Sequence, residues 1–155
     1  MESNNVLKFI KLRDVKSPKR AHSDDAGIDF FIPNDWIDGH SFSLTPHERI
    51  LIPSGIKARV PTGHALIFFN KSGNASKLGL DVLANTVDEN YEGEINLNVV
   101  NTSDSVVVLK GGMKLLQGIL LPINYANPLE IKSIEELYDG HNSSRKESGF
   151  GSSGI

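Results

Sequence analysis

Five short segments of this chain carry side chains able to do chemistry, and each contains at least one glycine. The third, Thr86-Val87-Asp88-Glu89-Asn90-Tyr91-Glu92-Gly93-Glu94, sets a Tyr among several carboxylates. Asp88 follows two residues of high strand preference, so it can stand at a sheet edge, where a carboxylate can orient and deprotonate a water. An acidic turn that is merely solvated fits the same residues. In the second segment, Phe69 to Lys77, a strand end runs through Lys71-Ser72-Gly73 into a helical turn. Backbone N–H groups and a hydroxyl at such a turn form an anion site, and Lys71 adds charge; a Ser-Gly loop capping an ordinary turn is the plainer alternative. The tail, Arg145 to Gly154, contains Gly149-Phe150-Gly151-Ser152-Ser153-Gly154. Its glycines let successive N–H groups face one anion, Arg145 offers a bidentate phosphate contact, and Phe150 can close over a planar base. Gly-Ser-Ser-Gly also serves as a plain linker.

Two further segments support these. In Asp24-Asp25-Ala26-Gly27-Ile28-Asp29-Phe30, Asp29 can orient a basic group from another segment, approach a metal, or close a turn. In Gly112-Met113-Lys114-Leu115-Leu116-Gln117, the Gln lies inside an apolar strand and needs a backbone or ligand partner. Other chemistries are excluded. The 155 residues contain no Cys, which removes thiol catalysis and Cys-bound metals. The histidines at 22, 40, 47, 64 and 141 show no ligand spacing, and no Gly-x-Ser-x-Gly or Walker lysine motif occurs. A net charge of −3 argues against stable nucleic-acid binding, and no apolar run reaches the length of a membrane span. These features point to a cytoplasmic or other soluble intracellular protein.

The elements that must hold these segments are short. Fourteen Gly and seven Pro cut the chain into apolar pieces with little helical periodicity, which predicts an all-β sandwich or jelly roll. Strands are predicted at 6–12, 27–32, 41–44, 49–52, 56–60, 64–69, 80–83, 94–101, 106–109 and 114–121. Glu94 to Val99 alternates polar with apolar, as a strand with one wet face requires. The run from Leu115 to Leu121 is apolar enough to predict burial on both faces. A helical turn is expected at 73–78 and a short helix at 134–138, started by the Ser133/Glu136 capping box. Residues 1–140 are read as one β domain and 141–155 as a flexible C-terminal arm.

Taken in order, Ala-Gly-x-Asp-Phe, Lys-Ser-Gly-x-Ala, Val-Asp-x-x-Tyr-x-Gly-Glu, Gly-x-Lys-Leu-x-Gln and Arg-x-x-x-Gly-Phe-Gly-Ser-Ser-Gly, from Ala26 to Gly154, resemble the five motifs of the trimeric dUTPases. The resemblance implies a jelly-roll-like homotrimer with active sites shared among subunits. It would hydrolyse dUTP to dUMP and pyrophosphate, limiting uracil in DNA and supplying dUMP for dTMP synthesis. By this resemblance Asp88 would activate the attacking water and Tyr91 would lie beneath the deoxyribose and exclude a 2′-hydroxyl. The hairpin containing Asn85 and Val87 would read uracil through its backbone. Lys71, Ser72, Gly73 and Gln117 would hold phosphate oxygens, while Arg145, Gly151, Ser152 and Ser153 would grip the far end and Phe150 would cover the base. Asp29 would support the site by pairing with a basic side chain. Mg2+ would arrive on substrate phosphates and waters, with no protein ligands.

Several positions depart from the common family pattern. Asn70-Lys71 stands in place of Pro-Arg, Lys114 in place of Arg, Asn90 in place of Asp, and Lys146 and Ser148 in place of tail glycines. A lysine lacks the guanidinium fork, so weaker support of Asp29 is expected. Asn85 stands where Gly is common, and it is expected to take the left-handed conformation there. The alternatives are a dCTP deaminase-like enzyme of the same fold, a trimer that binds a nucleotide or partner without essential turnover, and a structural jelly roll of a capsid or fibre.

Overall fold

The computed structural model describes residues 6–144 and 146. It contains β1 (Lys8–Lys11), β2 (Ile28–Phe31), β3 (Phe42–Leu44), β4 (Arg49–Pro53), β5 (Ile56–Arg59), β6 (His64–Asn70), α1 (Ser72–Leu78), β7 (Leu80–Val82), β8 (Thr86–Val87), β9 (Asn96–Asn101), β10 (Val107–Leu109), β11 (Lys114–Pro122) and α2 (Ile134–Tyr138). The chain divides into two compact units, Met1–Asn124 and Tyr125–Ile155.

In the first unit the strands form a four-stranded sheet of order β2-β11-β6-β8, a three-stranded sheet β4-β9-β7, and the pairs β1-β5 and β3-β10. Every pairing between these strands is antiparallel. Side chains from all of the sheets meet in one core that includes Phe30, Phe68, Leu44, Ile52, Leu97 and Leu109. The rings of Phe30 and Phe68 meet edge to face with centroids 4.9 Å apart, an arrangement worth about 1 kcal/mol beyond the area buried. The alternation read at Glu94–Val99 is real along β9, where Leu97 and Val99 are buried while Asn96 faces water. The β9 strand begins two residues later than expected, because Ile95 exchanges its backbone bonds with Ser54 and Ile56 instead.

Two expectations change. Along β11, Leu115 and Leu116 are buried but Leu121 is exposed, so burial on both faces holds only for the start of the run. A 3-10 turn at Trp36–Gly39, with Ile37 and Asp38 at positive φ, has no periodic signal to announce it. Asn101 is a buried polar residue at 0 % exposure. Its amide donates to the carbonyls of Leu44 and Ser105 and its oxygen accepts from the N–H and hydroxyl of Ser103, so the side chain is fully satisfied.

The second unit holds α2, whose start follows the capping-box chemistry: Ser133 Oγ accepts the Glu136 N–H at 3.1 Å, and the Glu136 carboxylate takes the N–H of Lys132. Leu129 and Ile134 are exposed at 83 % and 71 %. Composition shifts at residue 141, but the unit begins at Tyr125. Apolar residues that make few contacts look like core in a sequence.

Candidate active site

The expected hairpin is a turn that carries the chain from β7, paired to β9, to β8, paired to β6, and Asn85 pins it to β6 just ahead of the Thr86 and Val87 pairs. Asn85 accepts the Phe68 N–H with its backbone oxygen and donates its side-chain amide to the Phe68 carbonyl, at 2.8 and 3.1 Å. The left-handed residue of the turn is Ala84, at φ 46, and not Asn85 as expected. The Asn85 side chain serves as a peg, which leaves its neighbour to make the bend. From this peg Val87 points into the core and Asp88 points outward, as strand alternation dictates.

A cavity of about 250 Å3 opens beside this turn, lined by Leu51, Ala84, Thr86, Val87, Asp88 and Tyr91, with Ile95 and Asn96 closing one side. The nearby acids now separate by role. Glu89 accepts the N–H of Gly63, Glu94 accepts the N–H of Gly55 at 2.7 Å, and Glu92 is exposed. The Asp88 carboxylate lines the cavity and makes no hydrogen bond or ion pair with the other described residues; only its backbone carbonyl is engaged, by the Tyr91 N–H. A carboxylate with free lone pairs at a cavity wall can take a proton from a water held there. The Tyr91 hydroxyl donates to the carbonyl of Glu94 at 2.9 Å. Its ring lies so close to Gly93 that a Cβ there would sit 2.3 Å from the hydroxyl oxygen.

A second constellation forms at the other end of the four-stranded sheet. Gln117 pairs across β11 with Asp29 on β2 and with Phe69 on β6. Its amide donates to the Asn70 carbonyl at 2.8 Å, and its oxygen occupies the space a side chain at Gly27 would need. Asp29 is 2 % exposed and holds two ammonium groups, Lys71 at 2.5 Å on one oxygen and Lys114 at 2.8 Å on the other. Burial pushes the Asp29 pKa up, but the close ammonium contacts and charge of Lys114 and Lys71 outweigh it and hold the group below the usual 3.8. The two lysines together thus contact both carboxylate oxygens, as an arginine fork does. With two ammonium groups on one carboxylate, the cluster keeps a net positive charge.

Lys114 and Gln117 are three residues apart, which in a regular strand places them on opposite faces. The register shifts between Lys114 and Leu116, and this bulge turns both toward Asp29. Asn74 of α1 secures it by donating to the carbonyls of Lys114 and Leu115, both at 2.9 Å. The contributions of Asn74 and the bulge are invisible in sequence, where alternation alone separates Lys114 from Asp29. Ser72 and Gly73 begin α1 beside this cluster. The first intrahelical N–H bond is that of Ala75 to Lys71, which leaves the earlier N–H groups free of helix partners.

The two constellations do not meet within one chain. Val87 pairs with Leu66, so Asp88 comes beside Ala65, while Ser72 lies beyond Asn70 at the far end of β6. Five residues of strand separate them by about 17 Å at about 3.3 Å per residue. Arg145, Phe150, Gly151, Ser152 and Ser153 lie outside the described residues.

Comparison with known proteins gives the family. The dUTPase family model matches residues 13–154. The deoxyuridine 5'-triphosphate nucleotidohydrolase of Picosynechococcus sp. is 33% identical over 151 residues, covering 96% of this chain and 98% of that protein. Among solved structures, a mutant dUTPase of Staphylococcus bacteriophage 80alpha with dUpNHpp superposes with a TM-score of 0.81 at 23% identity, over 97% of this chain and 99% of that one. A mutant dUTPase from phage phi11 of S. aureus, for which coordination of a structural Mg(II) ion is described, gives a TM-score of 0.70 at 23% identity, over 84% and 99%. This all-β chain belongs to the dUTPase family.

Proposed function

We propose that the protein hydrolyses dUTP to dUMP and pyrophosphate, with Asp88 as the general base. The observation that carries this reading is the Asp88 carboxylate, without a partner among the described residues, at the wall of a cavity of about 250 Å3, next to Tyr91 and the turn pinned by Asn85. A water held by Asp88 attacks the α-phosphorus and passes its proton to the carboxylate. The bond from that phosphorus to the bridging oxygen breaks, and pyrophosphate departs. Such a reaction depends on positioning and charge stabilisation, without a covalent nucleophile. Tyr91 lies under the sugar, where a 2′-hydroxyl has no room. The backbone around Asn85 and Val87 reads the uracil edge, and rigid pinning by Asn85 suits discrimination through fixed polar groups.

Ser72, Gly73 and Gln117 hold phosphate oxygens, and the charge of the Asp29 cluster favours a polyanion beside them. The ammonium of Lys71 is turned onto Asp29, so it acts on phosphate as part of that cluster. Arg145, Gly151, Ser152 and Ser153 of the C-terminal arm take the far phosphate, with Phe150 over the base. Mg2+ would be carried by triphosphate oxygens and waters. Bound there it would neutralise charge developing on the phosphates.

A single triphosphate cannot bridge the distance along β6 and still place its α-phosphorus at Asp88 and its next phosphates at Ser72. The working unit is therefore a homotrimer whose sites draw Asp88 and Tyr91 from one subunit and Ser72, Gly73 and Gln117 from another. Exposed Phe9, Ile10, Leu51 and Val108 supply apolar surface for such contacts. No helix among the described residues is long and apolar enough to cross a membrane, and a nucleotide substrate suits a soluble intracellular compartment. The test is pyrophosphate release from dUTP, dCTP, dTTP and UTP with and without Mg2+, with Asp88→Asn beside the parent. Selective release from dUTP that falls at least about a hundredfold in Asp88→Asn, with nucleotide still bound, is expected. Retained turnover in that variant overturns the assignment of the base.

A further inference from the structure

Glu94 joins the core of the domain to the ring that lines the cavity. Its Oε1 accepts the N–H of Gly55, in the turn between β4 and β5, at 2.7 Å, and lies 3.6 Å from the Arg13 guanidinium. Its backbone carbonyl accepts two donors from the cavity side, the Tyr91 hydroxyl at 2.9 Å and the Asn96 amide at 3.1 Å. The next residue, Ile95, is 1 % exposed and bonded through both backbone groups to Ser54 and Ile56. The carbonyl that receives Tyr91 is thus fixed from two sides, by a buried neighbour and by its own side chain. Tyr91 has no comparable anchor: it is 43 % exposed, and its only other bond in the described residues is a turn contact from its N–H to Asp88.

We infer that Glu94 is a positioning residue for Tyr91, and that the preference for a deoxyribose over a ribose triphosphate depends on its grip on Gly55. This deepens the proposed function and rests on Tyr91 lying beneath the sugar. The ring excludes a 2′-hydroxyl by occupying space, so the exclusion is as strict as the ring is still. Releasing Glu94 from Gly55 removes one of the two restraints on the carbonyl that holds the hydroxyl, and the ring gains room to retreat from a ribose. Glu94→Gln retains an oxygen acceptor for the Gly55 N–H and loses only the charge facing Arg13.

The experiment compares kcat/KM for dUTP and UTP in the parent, Glu94→Ala, Glu94→Gln, Tyr91→Phe and Tyr91→Ala. Glu94→Ala removes the side-chain bond to Gly55 and keeps the carbonyl, whereas Tyr91→Phe removes the hydroxyl's bond to that carbonyl, so Tyr91→Phe still tests the link between carbonyl and ring if Glu94→Ala fails to fold. Loss of one such bond should lower the dUTP to UTP ratio about two- to tenfold in Glu94→Ala and Tyr91→Phe, with Glu94→Gln near the parent and Tyr91→Ala lowest. A purely structural role lowers both substrates together and leaves the ratio unchanged. An unchanged ratio in Glu94→Ala or Tyr91→Phe, with a fallen ratio in Tyr91→Ala, overturns the inference and spares the proposed role of Tyr91. An unchanged ratio in Tyr91→Ala overturns that role and the inference with it.

Discussion

Replacing Asp29 by asparagine preserves the shape of the phosphate-facing edge and removes the negative charge between two ammonium groups. The Lys71 contact is 2.5 Å long with 27% of that side chain exposed, so its loss costs about 1.5–3 kcal/mol, as for hydrogen bonds to charged groups. Lys114 is 45% exposed, and solvent screening limits its share to about 1 kcal/mol or less. Both lysines can swing toward water, so the larger penalty of a stranded buried charge does not apply in full. The sum is about 1.5–4 kcal/mol, which is on the order of 1 M in the urea midpoint with an unchanged slope. The assay is urea unfolding of parent and variant at one fixed protein concentration, because assembly shifts apparent stability. The pH dependence has a definite sign. The folded pKa of Asp29 lies below its usual 3.8, so its stabilisation is fully present above that value and is lost as pH falls through the lowered one. The gap between parent and variant should be flat near neutrality and close in acid. Equal stability at neutral pH, or a gap that persists through the carboxylate range, refutes the reasoning.

The shared site predicts complementation: co-refolded Asp88→Asn and Ser72→Ala chains should regain dUTP turnover that neither has alone, and a mixture no better than its parts refutes sharing between subunits. Asn101→Ala leaves the Leu44 carbonyl and Ser103 groups without their partner in the core, and should lower stability by about 3 kcal/mol, read as a shifted unfolding midpoint. A loss below about 0.5 kcal/mol would mean that water or a shifted loop replaces the side chain.

The strands were legible because glycine, proline and alternation mark them, and their predicted positions differ from the structure mostly at the ends. The strand Thr86–Val87 escaped because two residues show no period, and its existence depends on the distant Leu66–Ile67. Site residues were legible as types in order, whereas their grouping was not. Sequence order runs Asp29, Lys71, Asp88, Lys114, yet antiparallel pairing brings the first, second and fourth together and sends Asp88 to the other end of β6. Lys71 for Arg was read as weaker support of Asp29. The arrival of Lys114 on the second carboxylate oxygen depends on a bulge, which no local pattern encodes.

The Asn85 peg has a consequence for how the gene can change in length. Residues inserted between Val82 and Asn85 enlarge the bend ahead of the anchor, and everything after the anchor keeps its place on β6. One residue inserted between Asn85 and Asp88 reverses the alternation that follows, turning the carboxylate toward the core and an apolar side chain toward the cavity. Length variation among natural relatives should therefore collect on the N-terminal side of the peg, with the three-residue step from Asn85 to Asp88 held constant.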